Sequence, residues 1–271
     1  MTAFDEHERA RWAGRATAYQ GSFAALCAYP AGALLDAAGI KAGDRLLDVG
    51  TGTGAVAALA CARGAKVVAV DAEPSMLELA RSLVPAAEFD HAALPRLPFA
   101  DDSFDAAVAN FVINHVGDPL AAIRELRRVV RPGGRIAATI WPYPAPPAQH
   151  LWTTIFDAAN VDRSVDLPRV APDKDFARTC DGLSDLFHQA GLTDVGCDTI
   201  VWSHRTDPDS WWNGPANGIG TPGMVMQHQS AGTIDRIRTQ YDRHTAAYRD
   251  ADGQLALPTA ALLAAASVSR G

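Results

Sequence analysis

Positive charge is scarce in this sequence and nowhere concentrated. Lys and Arg number 24 against 31 Asp and Glu, a formal net charge of −7 over 271 residues. Basic residues stand singly or in pairs such as Arg127 and Arg128, so no cationic stripe can neutralise a run of phosphates, which argues against nucleic acid as a partner. Cysteine is also sparse: Cys27, Cys61, Cys180 and Cys197 stand far apart with no C-x-x-C pair. That spacing gives no basis for metal, haem or dithiol chemistry, and the four read as reduced core thiols. The eight histidines never form H-E-x-x-H, and no metal site is expected. Runs of about 18 apolar residues are missing, and the charged first 15 residues lack the apolar stretch of a secretory signal. The reading is a cytoplasmic protein with no membrane span.

What remains suits a globular enzyme. Hydrophobic residues make up 48% and charged residues 20%, enough apolar content for a packed core. The length allows one large domain or one domain carrying an inserted cap.

From residue 45 short β-branched runs alternate with helical segments. Strands are expected over 45–49, 66–71, 104–111 and 135–141, and helices over 55–63, 75–83 and 120–130. This alternation predicts an α/β, doubly wound, mostly parallel sheet. Leu120, Ile123, Leu126 and Val130 form one helical stripe, which Pro132, Gly133 and Gly134 bring to a stop. Upstream, residues 10–38 read as helical, with Trp12, Tyr19, Phe23 and Leu26 near a helical repeat. Downstream, the proline-rich run 142–147 marks a boundary, and a new element begins near Gln149. A helix over 183–190 closed by Gly191, a strand over 195–202, a helix over 234–248 and a last strand over 262–268 complete the pass. The organisation expected is a helical lid (1–40), a core (41–141), a cap insertion (142–181), resumed core (182–206), a second cap insertion (207–254), and a final strand with the C-terminus (255–271).

The run Leu46-Leu47-Asp48-Val49-Gly50-Thr51-Gly52-Thr53-Gly54 places three glycines on the turn leaving the first strand. Glycine suits a turn where a ligand touches bare backbone at dihedrals a Cβ opposes. Gly50, Gly52 and Ala55 also satisfy the G-x-G-x-x-G/A pattern of dinucleotide binders, so a nicotinamide oxidoreductase is a rival. Asp48 separates the two readings, because a carboxylate there suits a cationic amino group and opposes a pyrophosphate at the helix N-terminus. Asp71 ends the next strand, where an acid can accept both hydroxyls of a ribose; alone, it reads equally as a helix cap before Glu73-Pro74-Ser75.

Four blocks in order, 46–54, 70–77, 97–105 and 128–135, resemble the class I methyltransferases that use S-adenosylmethionine, in particular the small-molecule branch of the ubiquinone and menaquinone methyltransferases. The resemblance implies a seven-stranded sheet with one antiparallel strand near its end, a helical N-terminal lid, and caps at the carboxyl edge. It implies that Gly50, Thr51 and Gly52 lie against the methionyl part of the cofactor, Asp71 holds the ribose, and Ala72 and Met76 flank the adenine. Asn110 would meet the methionyl backbone and Tyr19 its carboxylate. Many relatives carry an acid where this chain has Ala93, so the adenine contact falls to the backbone around Ala93 and Leu94 or to another side chain.

Methyl transfer is an in-line displacement, so the protein mainly aligns two reactants in a dry pocket and, for a phenol or carbon acceptor, removes a proton. His115 is the candidate base: it follows the fourth strand, and Asp118 and Pro119 suit the start of the next helix. A cofactor-packing or structural histidine is the alternative. Trp211, Trp212, Met224 and Met226 are candidates for an acceptor pocket, with one of the adjacent tryptophans facing it if the segment is extended; plain core packing is the alternative, as it is for Trp12. The acceptor expected is a small aromatic or polyketide-like molecule, methylated on oxygen or carbon rather than nitrogen. The alternative is a methyltransferase fold that keeps the cofactor for a non-methylating reaction. Oligomeric state is left open.

Overall fold

Runs of Leu, Val and Ala without a helical stripe form the centre of the sheet, because strands covered by helices on both faces read as continuous apolar stretches. A computed structural model describes residues 2–163 and 168–269; Met1, residues 164–167 of the expected first insertion, and Arg270 and Gly271 lie outside the described residues. The strands are β1 (Arg45–Val49), β2 (Lys66–Asp71), β3 (Glu88–His91), β4 (Phe104–Asn110), β5 (Val130–Ile140), β6 (Thr193–Thr206) and β7 (Leu255–Ser267). They form one sheet in the order β3-β2-β1-β4-β5-β7-β6. Pairing is parallel from β3 across to β5, while β7 runs antiparallel to both β5 and β6. The sheet is the seven-stranded, doubly wound α/β arrangement that the sequence implied.

Helices α1 (Ala3–Trp12), α2 (Ala16–Gln20), α3 (Ala24–Ala28) and α4 (Ala31–Ala37) precede the sheet. Between strands lie α5 (Ala55–Ala62), α6 (Pro74–Leu83), α7 (Pro119–Val129), α8 (Pro147–Ala158) and α9 (Cys180–Gln189). The link from β6 to β7 carries α10 (Pro208–Ala216), α11 (Gly220–Gln227) and α12 (Ala231–Thr245). Alternation along the strands separates the two faces: Leu47, Val68 and Val70 pack with Ile123, Leu126, Leu183 and Phe187. Leu46, Val67 and Ala69 pack with Leu34, Leu35, Val56 and Ala60 on the other side.

A third core lies beyond the sheet. β5 meets β7 as far as Ile140 and Leu262, whereas β6 and β7 stay paired out to Thr206 and Leu255. This overhanging ribbon supplies Trp202, Leu255 and Leu257 to a cluster with Trp152, Phe156, Trp211, Trp212, Ile237 and Tyr241. The segments read as separate insertions therefore pack together, and β6 and β7 are longer than the expected 195–202 and 262–268.

Several local expectations change. The Pro132-Gly133-Gly134 run belongs to β5, at an irregularity where the partner of Phe104 is Val130 and that of Ala106 is Arg135. A Cβ on Gly134 would lie 2.5 Å from the Asp105 carbonyl oxygen. Strand β3 was not anticipated, because Glu88-Phe89-Asp90-His91 is mostly polar and exposed. All four cysteines are free, as read from the sequence, and half-buried; Cys180 and Cys197, far apart in the sequence, meet at 2.8 Å between α9 and β6. Among the described residues no helix is long and apolar enough to cross a membrane.

Candidate functional site

The glycine turn sits at the carboxyl edge of β1 in a conformation that L side chains resist. Gly50 (φ +65°), Gly52 (+56°) and Gly54 (+90°) all lie in the left-handed region. A Cβ on Gly50 would reach 2.4 Å from Val112 Cγ2, so space as well as dihedral selects glycine there. Two bonds tie the turn to β2: Thr51 N–H donates to the Val70 carbonyl at 3.0 Å, and Gly52 N–H donates to Asp71 Oδ2 at 2.8 Å. The other Asp71 oxygen accepts from Glu73 N–H at 2.9 Å. Burial raises the Asp71 pKa, and the N–H groups of Glu73, Gly52 and Ala72 oppose that rise.

A cavity of about 920 Å³ opens over this edge, at the upper end of small-molecule sites, which run to about 1,000 Å³. Gly50, Gly52 and Asp71 line it together with Ala72, Met76, Ala93 and Leu94 and with Tyr19, Asn110 and His115. Trp141, Trp152, Trp211 and Met224 line the side toward the overhanging ribbon. Residues singled out in the sequence from widely separated segments thus line one cavity, together with many that were not singled out.

Two expected contacts are placed elsewhere. Asp48 is fully buried behind the turn, accepts from Thr51 Oγ1 at 2.7 Å, and like Thr51 does not line the cavity. Burial pushes its pKa up to about 7 against the Thr51 and Ala57 hydrogen bonds, with the charge of Asp71 adding to the rise. Both residues support the turn from beneath. Asp48 therefore faces no ligand amino group, and the argument from it against a dinucleotide does not hold on this geometry.

Asn110 lines the cavity, but its amide is occupied: Nδ2 donates to the Cys27 carbonyl at 2.8 Å and Oδ1 accepts from Thr139 Oγ1 at 2.6 Å. It joins α3 to β5. Tyr19 is half-buried next to Cys27, and desolvation first, then Cys27 and Asp71, raises its pKa well above the ordinary phenol value. It stays a protonated donor.

His115 ends a short 3-10 turn, Ile113–His115. The expected N-cap forms, with Asp118 accepting from Ala121 N–H at 3.0 Å and Pro119 in the first turn of α7. The ring's immediate partner, however, comes from α1: His115 Nδ1 lies 2.6 Å from Glu8 Oε2. Trp12 stands edge-on to the imidazole, centroids 5.8 Å apart.

Trp211 and Trp212 lie on helix α10, not on an extended segment, so alternation does not apply to them. Trp211 lines the cavity. Trp212 does not, and packs against Trp152 and Tyr241 with Arg238 over its ring. Met224 lines the cavity, while Met226 belongs to the third core. Sequence reasoning missed Glu8, Cys27, Phe111, Trp141 and Trp152. Phe111 holds φ +58°, a cost of about 1–3 kcal/mol for a non-glycine residue. Its N–H bonds to Thr139 and its ring stacks on Trp141 at 3.9 Å. Its place directly after β4 was the available signal; Glu8, on a charged helix, gave none.

A doubly wound sheet with a glycine turn and an acid ending the second strand defines a protein that binds a nucleoside-containing cofactor. Residues 47–138 match the family described as Methyltransferase domain. A demethylmenaquinone methyltransferase of Paenarthrobacter aurescens is 31% identical over 179 residues, 60% of this chain and 67% of that protein. The chain belongs to the class I methyltransferases that use S-adenosylmethionine. A demethylmenaquinone methyltransferase of Clavibacter sepedonicus is 46% identical over 98 residues, 35% of this chain and 40% of the relative's length. Among solved structures, the YcgJ protein of Bacillus subtilis superposes with TM-score 0.56 at 21% identity, over 90% of this chain and 99% of that one. The [4+2]-cyclase SpnF superposes with TM-score 0.52 at 19% identity, over 90% and 81%. These two likenesses concern the fold alone. Family membership, and not Asp48, sets aside the nicotinamide reading.

Proposed function

We propose that the chain transfers a methyl group from S-adenosylmethionine to a hydroxyl or carbon of a small aromatic acceptor of the phenol or hydroquinone kind, with His115 as the base. The observation that carries this reading is one cavity in which the glycine turn and Asp71 share space with an imidazole and with Trp141, Trp152 and Trp211. The names of the demethylmenaquinone methyltransferase relatives point to the same acceptor chemistry.

The residues fit the cofactor. A half-buried carboxylate ends β2 for a diol, glycine leaves the backbone bare, and Ala72, Met76 and Leu94 offer apolar surface for a flat base. Asp71 holds the ribose hydroxyls; Gly50, Gly52 and the Asn110 backbone lie along the methionyl part; Tyr19 donates to its carboxylate; the Ala93 and Leu94 backbone meets the adenine edge. Helices α1 to α4 form the lid, and the described residues of 142–181 together with the segment 207–254 form the acceptor cap. Asp48 and Thr51 hold the turn and touch no ligand. When bound, S-adenosylmethionine supplies the methyl: its S–C bond breaks as the acceptor's O–C or C–C bond forms, and the electron pair stays on sulfur. His115 takes the proton released by the acceptor, a service worth about 10²–10⁴-fold in general, and the aromatic cap excludes water.

The test is incubation with methyl-deuterated S-adenosylmethionine and a panel of phenols, hydroquinones and amines, followed by mass spectrometry. Labelled methyl on oxygen or carbon of an aromatic acceptor, with stoichiometric S-adenosylhomocysteine, is the expected result. Transfer to amines alone would refute the acceptor class. Tight cofactor binding without transfer to any acceptor would favour a non-methylating use of the fold.

A further inference from the structure

Helix α1 is an unusual cover for a mainly apolar cavity. Its residues are largely charged, and the one that is buried is Glu8, whose side chain is 7% exposed. A carboxylate is not buried without compensation, and here two partners supply it: His115 at 2.6 Å and Arg11 at 2.8 Å. Burial alone would raise the Glu8 pKa; the hydrogen bond and charge of His115, joined by Arg11, outweigh it and bring it down to about 2.

The helix is seated where this contact requires it. Thr2 and Asp5 close a capping box at its start, and Asp5 Oδ1 also accepts from Gly117 N–H at 2.7 Å. A Cβ on Gly117 would fall 2.0 Å from Thr2 Oγ1, so glycine at 117 lets α1 approach the turn that carries His115. Trp12, one helical turn beyond Glu8, stands edge-on to the imidazole and to Tyr19. The ring is thus bounded by α1 on two sides, and both Glu8 and His115 line the cavity.

We infer that Glu8 is a positioning residue for His115: with α1 seated, its carboxylate holds the proton on Nδ1 and leaves Nε2 as the nitrogen that accepts the substrate proton. The inference rests on the reading of His115 as base. A histidine whose second nitrogen is held by a carboxylate keeps one tautomer and one ring orientation, the arrangement that general-base histidines use elsewhere. The same helix thus covers the cavity and orients the base.

The test combines a spectroscopic readout with kinetics. The ¹⁵N spectrum of histidine-labelled protein, saturated with S-adenosylhomocysteine at a pH where the ring is neutral, should show His115 with its proton on Nδ1. That preference should be lost in Glu8→Ala. With the best hydroquinone acceptor of the panel, Glu8→Ala should lower kcat by about 10–100-fold, with acceptor KM and S-adenosylhomocysteine affinity within about threefold. Glu8→Gln, whose amide oxygen can accept the Nδ1 proton, should recover part of the loss. A proton on Nε2 in the wild type overturns the proposal whatever the turnover. Unchanged kcat in Glu8→Ala, with cofactor affinity lowered instead, makes Glu8 a mere clamp for the lid and overturns it too. His115→Gln separates the two readings: wild-type kcat there removes the base itself, whereas a large loss beside an unaffected Glu8→Ala removes only the role of Glu8.

Discussion

Replacing Asp71 with Ala perturbs two things that can be measured apart. The carboxylate accepts from Gly52 and Glu73 N–H at 2.8 and 2.9 Å, and in the account above its remaining lone pairs accept the ribose hydroxyls. Hydrogen bonds to a charged group are worth about 1.5–3 kcal/mol. Taking that range for the pair together, because Asp71 keeps part of its solvation, gives a loss of roughly 10–150-fold in affinity. The two backbone donors left without Asp71 cost the fold a further ~1–3 kcal/mol, a melting shift of roughly 2–10 °C for a chain of this size. Calorimetric titration with S-adenosylhomocysteine at 25 °C, on Asp71→Ala and wild type, reads the first quantity, and thermal unfolding without ligand reads the second. Affinity within twofold of wild type in a cooperatively folded mutant would refute the placement of the ribose at Asp71.

Asp48 makes stability depend on pH. Its pKa rises from the ordinary 3.8 to about 7 on folding, so between those values the folded state keeps a proton that the unfolded state has lost. The associated stability is full below about pH 4 and gone once the pH passes about 7. Relative to Asp48→Asn, which cannot ionise, the wild type should lose up to roughly 4 kcal/mol between pH 4 and 7 in urea unfolding; a difference that stays constant across that window contradicts the assignment. Trp212, packed on Trp152 and Tyr241 away from the cavity, should destabilise the cap by about 3–5 kcal/mol on truncation to Ala. Trp211→Phe, at the cavity wall, should change acceptor KM and leave cofactor affinity within a few fold. Kinetics and melts on the two mutants check this division, and the reverse pattern would sink it.

The parts of the fold legible in the sequence were those with one strong local signal. Leu46-Leu47 and Val67-Val68 are buried on both faces, so their strands needed no partner to be recognised, and the glycine turn carries its own dihedral demand. β3 was hidden because its edge position leaves Glu88, Asp90 and His91 exposed, and edge strands need no apolar pattern. The overhang of β6 and β7 was hidden for the opposite reason: its register depends on a core contributed by α8, α10 and α12, far away in sequence. The candidate site followed the same rule. Asp71 and His115 could be singled out from their places at strand ends and Met76 from the family resemblance, whereas Glu8 acquires its meaning across a separation of 107 positions from His115. Asp48 was misplaced because a strand-end acid can point toward the ligand or beneath the turn, and its bond to Thr51 chooses the second.

A crystal structure with S-adenosylhomocysteine tests the central claim most directly. The ribose hydroxyls should lie on the Asp71 carboxylate, the adenine between Met76 and Leu94, and the sulfur toward the space shared by His115, Trp141 and Trp211. Ligand density outside this cavity, or a ribose turned away from Asp71, would contradict it.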